Sequence, residues 1–294
     1  MTYIDHRNWR AIIISCLCVL VLSACQVTCD LEQPPLVPGP VKTGSHFSSG
    51  QFASLSELLS QLDDVDVLLV TDHTLPEHLN MGTGGAQGKE RVFIDPAATL
   101  LARELNNLGL NSFTLNVEDM TFAKGELADK ASVDFAYGEY DKVLQRAVAN
   151  GITIIALHFD ADIMIADGET VANYIGGTQI IFDPDSLSES SFKLGYYLLH
   201  DYQVLESLLD AGFRPRPGYR HEFRFQANQT LKIIGDSTGG GLLLELASQE
   251  QAMRLYRSPE AITAALQPSL QLLARAISDF RWQLSQSDKK LSQQ

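Results

Sequence analysis

Cysteine is absent from this chain after Cys29. A folded domain built from the remainder has no internal disulfide, no thiolate metal ligand and no cysteine nucleophile, so any metal in it is held by His, Asp or Glu. Histidine is scarce too, 7 in 294 residues, and none follows His221. Basic residues are outnumbered, 22 Lys and Arg against 36 Asp and Glu, for a net charge of −14. Phosphate backbones need basic surface, so this balance argues against nucleic acid as a partner. No apolar run reaches the roughly 20 residues of a membrane-spanning helix. The run from Ala11 to Leu22 is shorter, and no internal repeat is visible.

What is present begins with a targeting segment. Arg7 and Arg10 precede the apolar run, which has the length of a signal-peptide core. It ends in Leu22-Ser23-Ala24-Cys25, which resembles the bacterial lipoprotein signal. The resemblance implies cleavage before Cys25, lipidation of that residue, and loss of Cys16 and Cys18 with the signal. Gln26 is not the aspartate that marks inner-membrane retention, so the expected place is the periplasmic face of the outer membrane of a Gram-negative host. An ordinary cleaved signal or a short anchor is the alternative. Residues 1–24 are therefore read as signal and 25–51 as lipidated cysteine plus a Pro-, Gly- and Ser-rich tether. Residues 52–284 are read as one globular domain and 285–294 as a polar, frayed tail.

Within the domain, short apolar runs alternate with amphipathic stretches. Strands are expected at Val67–Thr71, Ser112–Val117, Ile152–Leu157, Gln179–Phe182, Leu231–Ile234 and Leu242–Leu246, several of them continuous apolar runs that suit strands buried on both faces. Helical stripes run through Ala98, Leu101, Leu105 and Leu108, then Tyr140, Leu144, Ala147 and Val148, then Leu194 to Leu208, then Leu266 to Phe280. Gly109 and Asn150-Gly151 stand as stops for the first two. The alternation predicts a single α/β domain with a mainly parallel twisted sheet of about six strands flanked by helices. Ligands of such folds bind at the carboxyl ends of the strands. The stretch Asp160 to Arg224 is less regular and reads as surface connection or as a cap over a site.

The His and Glu residues fall at informative places. His73 follows the strand Val67–Thr71, and His158 follows Ala156-Leu157 of another strand. Glu90 stands at the head of a helical stripe, after the glycine-rich stretch Gly82 to Lys89. Glu245 lies inside Leu243-Leu244-Glu245-Leu246, where a charge needs a partner or a chemical role. Two imidazoles and a carboxylate are a suitable donor set for catalytic zinc, and a further carboxylate suits proton transfer.

Taken together, these motifs resemble the zinc-dependent N-acetylmuramoyl-L-alanine amidases. The resemblance lies in Val70-Thr71-Asp72-His73, in the glycine-rich stretch ending at Glu90, in the leucine-rich helix Leu100 to Gly109, in Ala156-Leu157-His158-Phe159-Asp160, and in Leu243-Leu244-Glu245-Leu246-Ala247-Ser248 followed by a final helix. It covers the chain from about Val67 to Phe280. It implies that His73, Glu90 and His158 hold one Zn²⁺ per chain and that Glu245 is the acid and base. Asp160 would support His158 or touch substrate. The implied partner is peptidoglycan or a muropeptide, with the membrane reached through the lipid anchor. The sequence points to no particular activator protein. Departures are the missing glycines beside His73, Asp160 in place of the family's Asn, and Ala247-Ser248 in place of Gly-Phe.

Two rival readings remain. Gly235-Asp236-Ser237-Thr238-Gly239 fits the nucleophile turn of α/β-hydrolase esterases, but that chemistry needs a histidine later in the chain, and none follows His221. The other rival is a catalytically inactive peptidoglycan-binding lipoprotein.

Overall fold

The computed structural model describes residues 43–71, 90–120, 129–162, 164–166, 169–171 and 175–291. Its strands are β1 (His46–Ser48), β2 (Val67–Thr71), β3 (Ser112–Asn116), β4 (Thr153–Asp160), β5 (Met164–Ala166), β6 (Glu169–Val171), β7 (Gln179–Phe182), β8 (Arg224–Phe225) and β9 (Gly241–Ser248). Seven of them form one sheet in the order β1-β3-β2-β4-β9-β7-β8. The first five in that order run parallel, β7 runs antiparallel to β9, and β8 follows β7 in parallel. β5 and β6 make a separate antiparallel hairpin. The expected mainly parallel α/β sheet is what forms.

The helices are α1 (Leu55–Gln61), α2 (Arg91–Asn107), α3 (Lys130–Ala149), α4 (Glu189–Tyr196), α5 (Val204–Asp210), α6 (Gln229–Ile234), α7 (Gln249–Tyr256) and α8 (Pro259–Leu291). Strand side chains alternate between faces, so the sheet has two cores. Val67, Leu69, Ile155, Leu157, Leu242 and Leu244 pack with α2 and α8 on one face. Leu68, Val70, Phe113, Ile154, Ala156 and Leu243 pack with α1 and α3 on the other. Burial on both faces is why these strands read as unbroken apolar runs. The expected stops are real: Gly109 and Gly151 take φ of 83° and 64°, a left-handed conformation that glycine adopts without strain.

Four expectations change. Leu231–Ile234 is not a strand but most of helix α6, whose start is capped by Asn228 Oδ1 accepting from Leu231 N at 3.1 Å. The stripe Leu194 to Leu208 is not one helix. It comprises α4, a π-helical turn at Tyr197–Asp201, and α5, with Gln203 left-handed at the break. The sheet starts inside the stretch read as tether, because His46–Ser48 pairs with β3. The stretch read as a frayed tail continues α8 as far as Leu291. No helix among the described residues is long and apolar enough to cross a membrane.

Candidate active site

The carboxyl ends of β4 and β9 gather the polar groups that the apolar strands carry out of the core. His158 on β4 and Glu245 on β9 are register partners, so their side chains leave the same face of the sheet side by side. Gln179, at the start of β7, is the partner of Glu245 on its other side. Glu90 arrives from elsewhere. It immediately precedes α2, and its carbonyl accepts from Phe93 N and Ile94 N in the first turn. Phe93 then packs on Phe159, ring centroids 5.4 Å apart, which seats the head of α2 against the end of β4.

That seating brings donors together. Glu90 Oε1 accepts from the Phe159 amide at 2.7 Å and lies 3.3 Å from His158 Nδ1. Both residues are buried, 3% and 4% exposed. Zinc bound tetrahedrally at about 2.0–2.1 Å sets two of its ligand atoms roughly 3.3 Å apart. The separation of Oε1 and Nδ1 therefore fits two ligands of one ion. The third residue of the expected set, His73, lies outside the described residues, as does Cys25. What is described is that β2 ends at Thr71, beside β4 with Val70 opposite Ala156, two residues before His73. Among the described residues no three His, Cys, Asp or Glu side chains form a metal cluster.

Glu245 is the unusual acid. The residue is only partly exposed, and its Oε2 is buried with no hydrogen-bond partner among the described residues. Loss of water around the carboxylate pushes its pKa well above the ordinary 4.5. His158 and Arg224 oppose that rise, while the like charges of Asp160 and Glu90 add to it. An acid held this way keeps its proton to a higher pH than a surface glutamate, which suits a group that takes up a proton and gives it back.

Asp160 is committed to holding the site's wall. Its Oδ1 accepts from Ala161 N at 2.9 Å, and its Oδ2 from Gly177 N at 3.1 Å, Gln179 Nε2 at 3.2 Å and Arg216 Nη1 at 2.8 Å. Beside it, Asp162 pairs with Arg214, accepts from Ser248 Oγ at 2.6 Å, and donates its own N–H to Glu250 at 2.7 Å. These bonds tie the irregular stretch after β4 to the Arg214-Pro215-Arg216 segment and to the start of α7. Gln179, Arg214, Arg216 and Asp162 belong to no motif, and all four lie in the irregular stretch Asp160 to Arg224 that reads as surface connection or as a cap over a site.

Ser237 does not join the site. It is fully buried just before β9 begins, at the opposite end of that strand from Glu245. Its hydroxyl donates to the Ile152 carbonyl at 2.7 Å and accepts from Gly239 N at 3.2 Å, which makes it the brace of a tight turn. A serine so placed offers no nucleophile to a substrate.

No family model matches the chain, and no curated protein does. Among solved structures it is similar to the apo form of the N-acetylmuramyl-L-alanine amidase Ami1 from Mycobacterium abscessus, at 13% identity and a TM-score of 0.44 over 72% of this chain and 99% of that one. It is similar to the CwlD amidase from Clostridioides difficile, solved in complex with the GerS lipoprotein, at 13% identity and a TM-score of 0.45 over 76% and 99%. A metallo-carboxypeptidase from Pseudomonas aeruginosa is similar at 14% identity and a TM-score of 0.39 over 74% and 59%. At this level the likeness assigns neither a family nor an activity.

Proposed function

We propose that the chain is a zinc-dependent N-acetylmuramoyl-L-alanine amidase, hydrolysing the amide between the lactyl group of N-acetylmuramic acid and the L-alanine of the stem peptide. The observation that carries this reading is the meeting of Glu90, His158 and Glu245. Three distant stretches of chain deliver two zinc-type donors 3.3 Å apart and, in register beside His158, an acid whose buried Oε2 has no hydrogen-bond partner among the described residues. The motif resemblance supplies the reaction class and the third donor, His73.

In this reading His73, Glu90 and His158 hold one ion. Bound there, Zn²⁺ would supply polarisation of the scissile carbonyl and acidification of water. Glu245 takes a proton from the attacking water as its oxygen bonds to the carbonyl carbon. It returns that proton to the amide nitrogen as the C–N bond breaks, leaving a carboxylic acid and a free amine. Asp160 and its partners keep the wall beside Glu245 in place. The proposal extends to export and to lipidation at Cys25, with the domain held at the periplasmic face of an outer membrane, close to its polymeric substrate.

The test is incubation of the purified chain with muropeptides, with and without chelator, followed by mass analysis of products and metal analysis of the protein. Release of peptides beginning with L-alanine, loss of release with chelator, its return with Zn²⁺, and about one zinc per chain are expected. A folded, zinc-loaded chain that cleaves no muropeptide would overturn the reading. Peptidoglycan binding by a metal-free chain without cleavage would favour the inactive rival.

A further inference from the structure

One face of the sheet can be followed outward from Glu245 by register. Glu245 is opposite Gln179, Leu243 is opposite Ile181, and Ile181 is opposite Arg224 on β8. Alternation puts Arg224 on the face that carries Glu245 and His158. It stands at the sheet's edge, partly exposed, and its positive charge acts on the Glu245 carboxyl. The arginines around it are engaged: Arg214 pairs with Asp162, Arg216 with Asp160 and Arg220 with Glu206. Arg224 has no such ion pair among the described residues. In a chain of net charge −14, an anionic substrate meets general repulsion, and this guanidinium is a local charge of the opposite sign.

We propose that Arg224 binds a carboxylate on the peptide half of the substrate and so gives the enzyme a preference for stem peptides with a free acid near the scissile bond. This rests on the amidase reading above. A guanidinium offers a planar fork of N–H donors that matches a carboxylate in two parallel hydrogen bonds. Two strand spacings across the sheet and a two-residue offset along it set Arg224 roughly 12 Å from Glu245. An extended peptide covers that in about three to four residues, at about 3.3–3.6 Å each. With part of the gap bridged by the arginine side chain, the acid belongs to the residue after L-alanine.

The experiment compares N-acetylmuramoyl-L-alanyl-D-glutamate with its diamide as substrates of the full chain loaded with zinc. The wild type is expected to favour the acid by about tenfold or more in kcat/KM, expressed mainly in KM. Arg224→Gln is expected to bring that ratio within about twofold of one, and Arg224→Lys to leave an intermediate ratio. If Arg224 acted only by tempering Glu245, its replacement would change both substrates alike and leave the ratio intact. An intact ratio in Arg224→Gln, or a wild-type ratio near one, would overturn the assignment of Arg224 alone. Cleavage of neither substrate by the folded, zinc-loaded wild type would remove the amidase reading, and the role of Arg224 with it.

Discussion

Glu245 is under two opposed demands, one chemical and one thermodynamic. Its Oε2 is buried without a hydrogen-bond partner among the described residues, and the carboxyl titrates well above 4.5 because burial disfavours its charge. The unfolded chain releases this proton near 4.5, while the folded chain holds it to higher pH. The stabilisation from the neutral acid is complete below 4.5 and is lost as pH rises through the folded value. Glu245→Gln removes the ionisation and keeps the shape. The variant is expected to fold, to bind zinc, and to lose turnover by about 10²–10⁴-fold. With chelator present, melts between pH 4.5 and 8 should show the wild type losing stability with rising pH more steeply than the variant. Parallel pH profiles, or full activity in the variant, would contradict this. The motifs singled out Glu90, His158 and Glu245, and the fold brings those three together. Gln179, Arg216 and Arg224 were not legible, because a lone polar residue far along the chain acquires meaning only through strand register. Asp160 was legible as a strand-end acid, but the partners of its Oδ2 come from 17 to 56 residues away, so its role in the wall could not be read.

At the level of elements, the strands were legible where both faces are buried. β2 and β7 match the expected bounds, and β3, β4 and β9 contain most of theirs. The error at Leu231–Ile234 has a physical origin. Four apolar residues in a row carry no periodicity, so strand and helix look alike, and the deciding group is a polar cap outside the run. Asn228 supplies it: its side chain satisfies the Leu231 amide, and α6 then buries Leu231 and Ile234 against the core that also lines β9. Asn228→Ala is therefore expected to cost about 1 kcal/mol in chemical denaturation. Asn228→Ser or Asn228→Asp should recover most of it, since either oxygen can accept from the same amide. An unchanged midpoint for the alanine variant would show that packing alone holds α6. The π-helical turn between α4 and α5 was illegible for the converse reason, since the leucine stripe continues across it without interruption.

For the whole molecule, the revealing misreading is the boundary between tether and domain. Composition put the domain's start at Phe52, because proline, glycine and serine dominate what precedes it. The fold starts earlier. β1 closes the outer edge of the sheet beside β3, with His46 Nδ1 3.0 Å from Ser112 Oγ and Ser112 N donating to Ser45 O at 2.9 Å. Ser49 then donates to Asp119 Oδ2 at 2.6 Å while accepting from Asn116 N at 2.9 Å. A chain shortened to begin at Phe52 loses all of these and exposes the edge of β3. At about 0.5–1.5 kcal/mol per net hydrogen bond, the loss is on the order of 3–5 kcal/mol, a large share of the roughly 5–15 kcal/mol that holds a domain together. The shortened chain is expected to melt about 10 °C or more below one that begins at Thr43 and to self-associate through the bared strand. Equal melting of the two truncations would mean that β1 adds nothing to the sheet.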